Sequence, residues 1–294
     1  MREYESLRQF AELARTLHFT RAAATLHVSP SALSRSIRRL EAQVGEPLFE
    51  REHHNVALTD AGIAFRRYAG TVLEGWSAFE SERSTAAGPL QGTLHVYCTV
   101  TAAQTIVPEL LARFRDRHPG VRLELETGYA ADALDQLGRG AIDVTIAPLP
   151  SKLPRGVDAC VLASTPVVVV GPTAAGPVRD LTSGRRIDWA RLPYVLPDRG
   201  LPRDAIDAWL AGRGIEPQVY AEIQGHEAIL SLVALGCGVG VVPELVLASS
   251  ALQDRVVALV GPRLAPLTIG LCIRGRSLAN PVVAALWDIA REAA

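Results

Sequence analysis

The sequence predicts two unlike parts: an N-terminal all-α winged helix-turn-helix with a long linker helix, then a larger C-terminal α/β domain. Three observations carry this. Apolar residues before position 60 recur at helical spacing, and the third helix is polar along one side. A Gly45-Glu46-Pro47-Leu48-Phe49 turn then opens a short strand pair. Beyond Leu90, strand and helix patterns alternate to the end of the chain.

At 294 residues the chain exceeds one typical core, so two or three compact units are expected. Hydrophobic residues make up 48% and charged residues 21%, an ordinary globular balance. The longest apolar run, Val161 to Val170, is interrupted by Ser164, Thr165 and Pro166. A bilayer span needs roughly 18 to 20 apolar residues, so no transmembrane helix and no membrane partner are expected. Met1-Arg2-Glu3-Tyr4-Glu5 begins a charged amphipathic helix without a signal-peptide core, and the expected location is the cytoplasm, at the nucleoid. Cys98, Cys160, Cys237 and Cys272 stand singly among apolar residues, a pattern of buried thiols rather than zinc ligands or disulfides. The net charge of −1 gives no support for nucleic-acid binding, so any such case rests on where the charges sit. Lys152 is the sole lysine; arginine supplies the remaining positive charge.

Leu7, Phe10, Leu13, Ala14 and Leu17 mark the first amphipathic helix. Thr20 is placed to cap a short second helix through Ala22, Ala23 and Leu26, with Arg21 beside it. Ser29 caps the third helix and Pro30 takes its first position, where a missing N–H costs nothing. From Ser31 to Glu41, Leu33, Ile37 and Leu40 fall on one side and Ser31, Ser34, Arg35 and Arg38 on the other. The apolar side must pack on the first two helices. The other side offers hydroxyls and guanidiniums on a rigid rod of a size that enters a DNA major groove, where Arg pairs bidentately with guanine. Arg39, at the edge, reaches for a phosphate. From this pattern alone, a solvated face of an all-α bundle is the competing reading.

The turn at Gly45 leads into a strand through Phe49, Glu50 and Arg51, with Val56 to Thr59 returning as its partner. Arg51, His53 and His54 fall at the tip of this wing, suited to the sugar-phosphate backbone. Adjacent histidines point apart, so a metal site there is weakly supported. Phe65, Tyr68, Val72, Trp76 and Phe79 then stripe a helix from about 60 to 83, which needs a partner; a second copy is the natural one, although Gly75 departs from a good coiled coil. Gly88-Pro89 ends a hinge.

In the large part, strands are expected at 94–98, 121–126, 142–147, 167–170, 239–242 and 267–273, and helices at 106–118, 131–137, 205–212, 227–235 and 281–290. The alternation predicts mainly parallel sheets covered by helices on both faces. Such sheets bind ligands at the C-terminal ends of their strands. Thr99, Val100 and Thr101 follow one strand, Gly128 and Tyr129 the next, and Gly225, His226 and Glu227 precede a helix. Plain capping is the rival role for each. Gly236-Cys237-Gly238-Val239-Gly240 runs from helix to strand, the reverse of a dinucleotide loop. With no GxSxG, no Walker loop and no histidine four residues after His226, nothing supports an enzyme, and no cofactor is expected.

Phe19-Thr20-Arg21-Ala22-Ala23, Val28-Ser29-Pro30-Ser31-Ala32-Leu33-Ser34-Arg35, Leu40-Glu41, Gly45-Glu46-Pro47-Leu48-Phe49 and Leu58-Thr59-Asp60-Ala61-Gly62 together resemble the N-terminal domain of LysR-type transcriptional regulators. The resemblance implies a DNA-binding domain at 1–60, a dimerising linker and hinge at 61–89, and an effector domain at 90–294. That domain would be shaped like a periplasmic binding protein, one lobe at about 90–162 and 267–294, the other at about 163–266. Thr20, Arg21, Ser29, Pro30 and the residues of the third helix become candidate DNA contacts, with Arg51 and His53 of the wing. Leu94 to Ala103, Thr127 to Ala133, Gly225 to Ile229 and Val233 to Val239, with Val28 to Arg35, are most similar to the branch of the family that activates acetohydroxy acid isomeroreductase synthesis. That similarity implies acetolactate or acetohydroxybutyrate as co-inducer, with Arg203 or His226 adding charge-assisted hydrogen bonds. It further implies a tetramer built as a dimer of dimers on double-stranded DNA, with RNA polymerase as a partner. A LysR-type regulator answering another small carboxylate is the alternative.

Overall fold

A computed structural model describes residues 2–52, 55–84, 89–184 and 186–293. The first three helices are α1 (Arg2–Thr16), α2 (Phe19–Thr25) and α3 (Pro30–Val44), followed by the antiparallel pair β1 (Phe49–Glu52) and β2 (Asn55–Leu58) and the long α4 (Asp60–Ser84). Leu7, Phe10 and Leu13 of α1 meet Leu33, Ile37 and Leu40 of α3 and the pair Leu48-Phe49 in one buried cluster. Phe10 anchors it, with its ring edge-on to Phe65 at 4.8 Å.

Local chemistry sets each boundary. Ser29 Oγ accepts from the Ala32 N–H at 3.1 Å, Pro30 occupies the first turn, and Gly45 closes α3 at φ +88°. One boundary differs from expectation: α2 is capped by His18, whose Nδ1 accepts from the Arg21 N–H, and Thr20 lies within the first turn. The reason is Phe19, whose ring packs on the buried cluster and is drawn into the helix. Glu41 Oε1 accepts from the N–H groups of Leu48 and Phe49, which ties α3 to the wing. Thr59 caps α4 by accepting from the Gly62 N–H at 2.9 Å. A Cβ on Gly62 would lie only 2.0 Å from the Leu48 carbonyl oxygen, so glycine alone lets α4 cross there.

The apolar stripe of α4 divides. Phe65 and Val72 pack on the N-terminal cluster, whereas Tyr68, Trp76 and Phe79 stay exposed. At about 1.5 Å per residue this helix is a rod of roughly 38 Å.

The larger part begins with β3 (Gly92–Cys98), α5 (Val100–Thr105), α6 (Val107–Arg117), β4 (Val121–Thr127), α7 (Ala133–Gly138), β5 (Val144–Pro148) and β6 (Val157–Thr165). It continues through β7 (Val167–Pro172), α8 (Pro177–Thr182), β8 (Pro193–Pro197), α9 (Leu201–Ala211), β9 (Gln218–Ile223), α10 (His226–Ala234), β10 (Val239–Pro243), α11 (Glu244–Ala248) and β11 (Val256–Ala258). It closes with β12 (Leu267–Arg274) and α12 (Pro281–Ala293), the latter capped by Asn280. One sheet has the order β4-β3-β5-β12-β6 and the other β11-β7-β10-β8-β9.

These sheets are mixed, a correction to the mainly parallel arrangement expected. Strands β3, β4 and β5 pair in parallel, as do β8, β9 and β10, through helical crossovers. The chain leaves the first sheet along β6 and enters the second along β7 with only Pro166 between, then returns on β12. These connecting strands therefore add antiparallel, β12 against β5 and β6, and β7 against β10 and β11. Strands β6, β8, β9 and β11 lie beyond the elements read from sequence.

Cys98, Cys160 and Cys272 are buried and Cys237 is half-buried, all as free thiols. Burial pushes the Cys98 thiol up to about 11 and Cys272 to about 12. No helix among the described residues is long and apolar enough to cross a membrane.

Candidate functional site

The first candidate surface is the outer side of α3. Ser31, Arg35, Arg38 and Arg39 are exposed there, with Ser34 half-buried, while Leu33, Ile37 and Leu40 face inward. Among the described residues, these three guanidiniums make no hydrogen bond or ion pair within the chain. Ser29 and Pro30 at the start of α3, and Thr20 and Arg21 on α2, are exposed beside them. Arg51 lies on β1. His53 and His54 fall outside the described residues.

The second is a cavity of about 370 Å³ between the two sheets, opening where their parallel strands end. One wall carries Thr99, Val100 and Thr101 after β3, Gly128 and Tyr129 after β4, and Ala147-Pro148 at the end of β5. The facing wall carries Gln224 to Ala228 at the start of α10 and Pro243 at the end of β10. Ile146, Leu245 and Ile269 give it an apolar floor.

Tight backbone packing makes the first wall. A Cβ on Gly128 would sit 2.2 Å from Tyr97 Oη, and that hydroxyl donates to the Tyr129 carbonyl at 3.1 Å. Tyr129 Oη in turn donates to the Arg199 carbonyl at 2.6 Å, and Arg199 pairs with Asp132 at 2.8 Å. These contacts join the two lobes along one side of the cavity. Thr101 Oγ1 joins them at another point by donating to Glu227 Oε1 at 2.5 Å.

Electrostatically the cavity is unusual for an anion site. Among the described residues no lysine or arginine lines it, and its ionisable side chains are His226 and Glu227, with the Tyr129 phenol beside them. Desolvation, opposed by Glu227, pushes the His226 imidazole down to about 4, so the ring is neutral near pH 7. What remains to meet an anion is neutral: the Thr99 and Thr101 hydroxyls and the first-turn N–H groups of α10, whose cap Gly225 supplies no side chain.

Eight of the nine candidate ligand residues border this cavity. Arg203 does not. Its guanidinium is held by Asp207 at 2.7 Å, Glu222 at 2.8 Å and the Pro197 carbonyl at 2.9 Å. A long side chain aimed by carboxylates on its own helix and on β9 gave no sequence signal of its direction. Sequence reasoning also passed over Ala147-Pro148, Pro243 and the interlobe residue Arg199. The prolines ending β5 and β10 were a usable signal, since ligand sites of parallel strands gather at such ends.

Comparison with known proteins matches both parts of the chain. Residues 4–63 match the family "Bacterial regulatory helix-turn-helix protein, lysR family", and residues 87–294 match "LysR substrate binding domain". The HTH-type transcriptional activator IlvY of Salmonella typhimurium is 39% identical over 98% of this chain and 99% of its own length. The HTH-type transcriptional regulator IlvY of Escherichia coli is also 39% identical, over 98% of both chains. Among solved structures, a full-length OxyR variant from Pseudomonas aeruginosa has a TM-score of 0.69 at 25% identity, covering 98% of this chain and 97% of that one. The regulator CbnR has a TM-score of 0.62 at 24% identity, with 99% of each chain covered. Matched along both parts, the chain belongs to the LysR family of DNA-binding transcriptional regulators, which are not enzymes.

Proposed function

We propose that this regulator activates expression of acetohydroxy acid isomeroreductase, with acetolactate or acetohydroxybutyrate as its co-inducer. The observation that carries the reading is 39% identity to IlvY activators over 98% of this chain. The cavity chemistry is compatible. An effector carboxylate takes the first-turn N–H groups of α10 and the hydroxyls of Thr99 and Thr101, while its alkyl groups lie on Val100, Ile146 and Ile269. His226 is a neutral partner in this arrangement, and Gly128 and Tyr129 shape the wall.

On the same reading, 1–60 forms the DNA-binding domain, 61–89 the linker and hinge, and 90–294 the two-lobed effector domain. Arg35 and Arg38 read base edges in a major groove. Ser29, Ser31 and Ser34 fit beside them, with Pro30 setting the helix start. Thr20, Arg21, Arg39, Arg51 and His53 contact the backbone. Exposed Tyr68, Trp76 and Phe79 pair two linker helices, and two such dimers form a tetramer that bends its operator and meets RNA polymerase in the cytoplasm. The effector acts only through a difference in affinity between two arrangements of that tetramer.

Calorimetric titration of the full chain with acetolactate tests the effector. Binding to wild type that weakens at least about tenfold in Thr101→Val, with operator affinity unchanged, supports the reading. An unchanged isotherm in that variant removes Thr101 from the site.

A further inference from the structure

We propose that Glu227 is the residue that selects the effector, as a hydrogen-bond acceptor that must exchange its internal donor, Thr101, for a donor on the ligand. The proposal rests on the reading that the interlobe cavity is the effector site.

The case begins with charge. Among the described residues Glu227 is the one carboxylate that lines the cavity, and no lysine or arginine lines it to offset the charge. It stands in the first turn of α10. Its Oε1 accepts from Thr101 across the cleft, and its Oε2 turns back toward Gly225. A ligand with only a carboxylate and alkyl groups therefore meets an uncompensated negative charge. Entering, it also separates Thr101 from Glu227 and returns nothing to the acceptor. A ligand with a hydroxyl beside its carboxylate replaces the lost donor. The carboxylate goes to neutral donors and the hydroxyl to Glu227.

The burial of the pair fits this exchange. Thr101 is buried, at 6% exposure, whereas Glu227 is exposed at the cleft mouth. The acceptor thus stands nearer to solvent than its internal donor, and both line the cavity. The second interlobe tie, Arg199 with Asp132 and the Tyr129 hydroxyl with the Arg199 carbonyl, does not run through the Thr101–Glu227 contact. Arg199 does not line the cavity. Breaking the Thr101–Glu227 bond consequently leaves the lobes joined, and ligand entry is read at one hydrogen bond rather than by separation of the whole cleft. A site built to bond a ligand hydroxyl discriminates strongly against an analogue that lacks it, because its polar group is then left unpaired.

The test compares acetolactate with 2,2-dimethyl-3-oxobutanoate, in which a methyl replaces the hydroxyl, by calorimetry on the full chain. The expected wild-type preference for acetolactate is about 10- to 100-fold, the range of a hydrogen bond to a charged group. In Glu227→Ala the preference should fall below about threefold. In Glu227→Gln, which keeps an acceptor without the charge, it should be intermediate. A wild-type protein that binds both compounds equally, or a preference unchanged in either variant, overturns the proposal. Ala228→Trp, which fills the cavity from an exposed position on α10, separates the two levels. Loss of acetolactate binding there together with an unchanged preference in Glu227→Ala sinks only the role of Glu227. Undiminished binding in Ala228→Trp overturns the cavity reading and the proposal with it.

Discussion

The imidazole of His95 lies with Nδ1 3.0 Å from Asp143 Oδ2, and the same carboxylate oxygen accepts the His95 backbone N–H at 2.9 Å. On its other side, Nε2 stands 3.2 Å from Glu124, which Arg15 of α1 approaches to 4.0 Å. A chain of charges thus runs from the effector domain to the first helix of the DNA-binding part.

This arrangement has a pH signature. Desolvation lowers the His95 pKa, but the hydrogen bond and charge of Asp143, with the charge of Glu124, outweigh it and Arg15, and the net shift is upward. A raised folded-state pKa stabilises the fold fully below the unfolded value, about 6.5, and that contribution is lost as pH rises through the folded value. His95→Ala should therefore cost more thermal stability at pH 6 than at pH 8. Equal losses in melts at the two pH values would remove the charged imidazole from the account.

His226 works the other way. Its folded-state pKa is depressed to about 4, so protonation favours the unfolded chain and stability falls as pH drops below about 6.5. His226→Gln should flatten that acid limb in urea melts taken between pH 7 and pH 4.5. An unchanged limb would assign the acid sensitivity elsewhere.

Arg35→Ala should weaken operator binding by roughly 1–3 kcal/mol if its guanidinium reads a base edge. Fluorescence anisotropy on operator and on random duplex separates the roles. An equal loss on both would make Arg35 a phosphate contact.

Gly128→Ala drives a methyl against Tyr97 Oη, and overpacking of this kind costs roughly 1–3 kcal/mol. Urea unfolding should show that loss, and adding Tyr97→Phe should recover part of it by removing the nearest atom. A variant as stable as wild type would mean that the loop relaxes at no cost.

Much of this was legible in the sequence because local chemistry decided it. Ser29-Pro30 and Gly45 bracket α3 by capping alone, and Thr59 and Asn280 start α4 and α12 in the same way. The parts that were not legible depend on contacts distant in the chain. Strand β9, Gln218–Ile223, is an edge strand with exposed Val219 and Tyr220, so no buried alternation marks it. The antiparallel joining of β12 follows from the return of the chain between lobes, which periodicity does not encode. Helix α2 begins two residues early, capped by His18 rather than Thr20, because Phe19 is pulled into a core built mostly by other helices. In the cavity, Thr99, Gly128 and Gly225 could be found at strand ends and helix starts. The turning away of Arg203 is set by Asp207 and Glu222 together, and the Thr101–Glu227 bond joins residues 126 positions apart.

The most direct test of the central claim is DNase footprinting of the purified protein on the promoter region beside its own gene, with and without acetolactate. The account predicts protection in both conditions, with hypersensitive positions that shift when acetolactate is added. Protection that ignores acetolactate would contradict the effector assignment, and no protection of any neighbouring promoter would contradict the DNA-reading role assigned to α3.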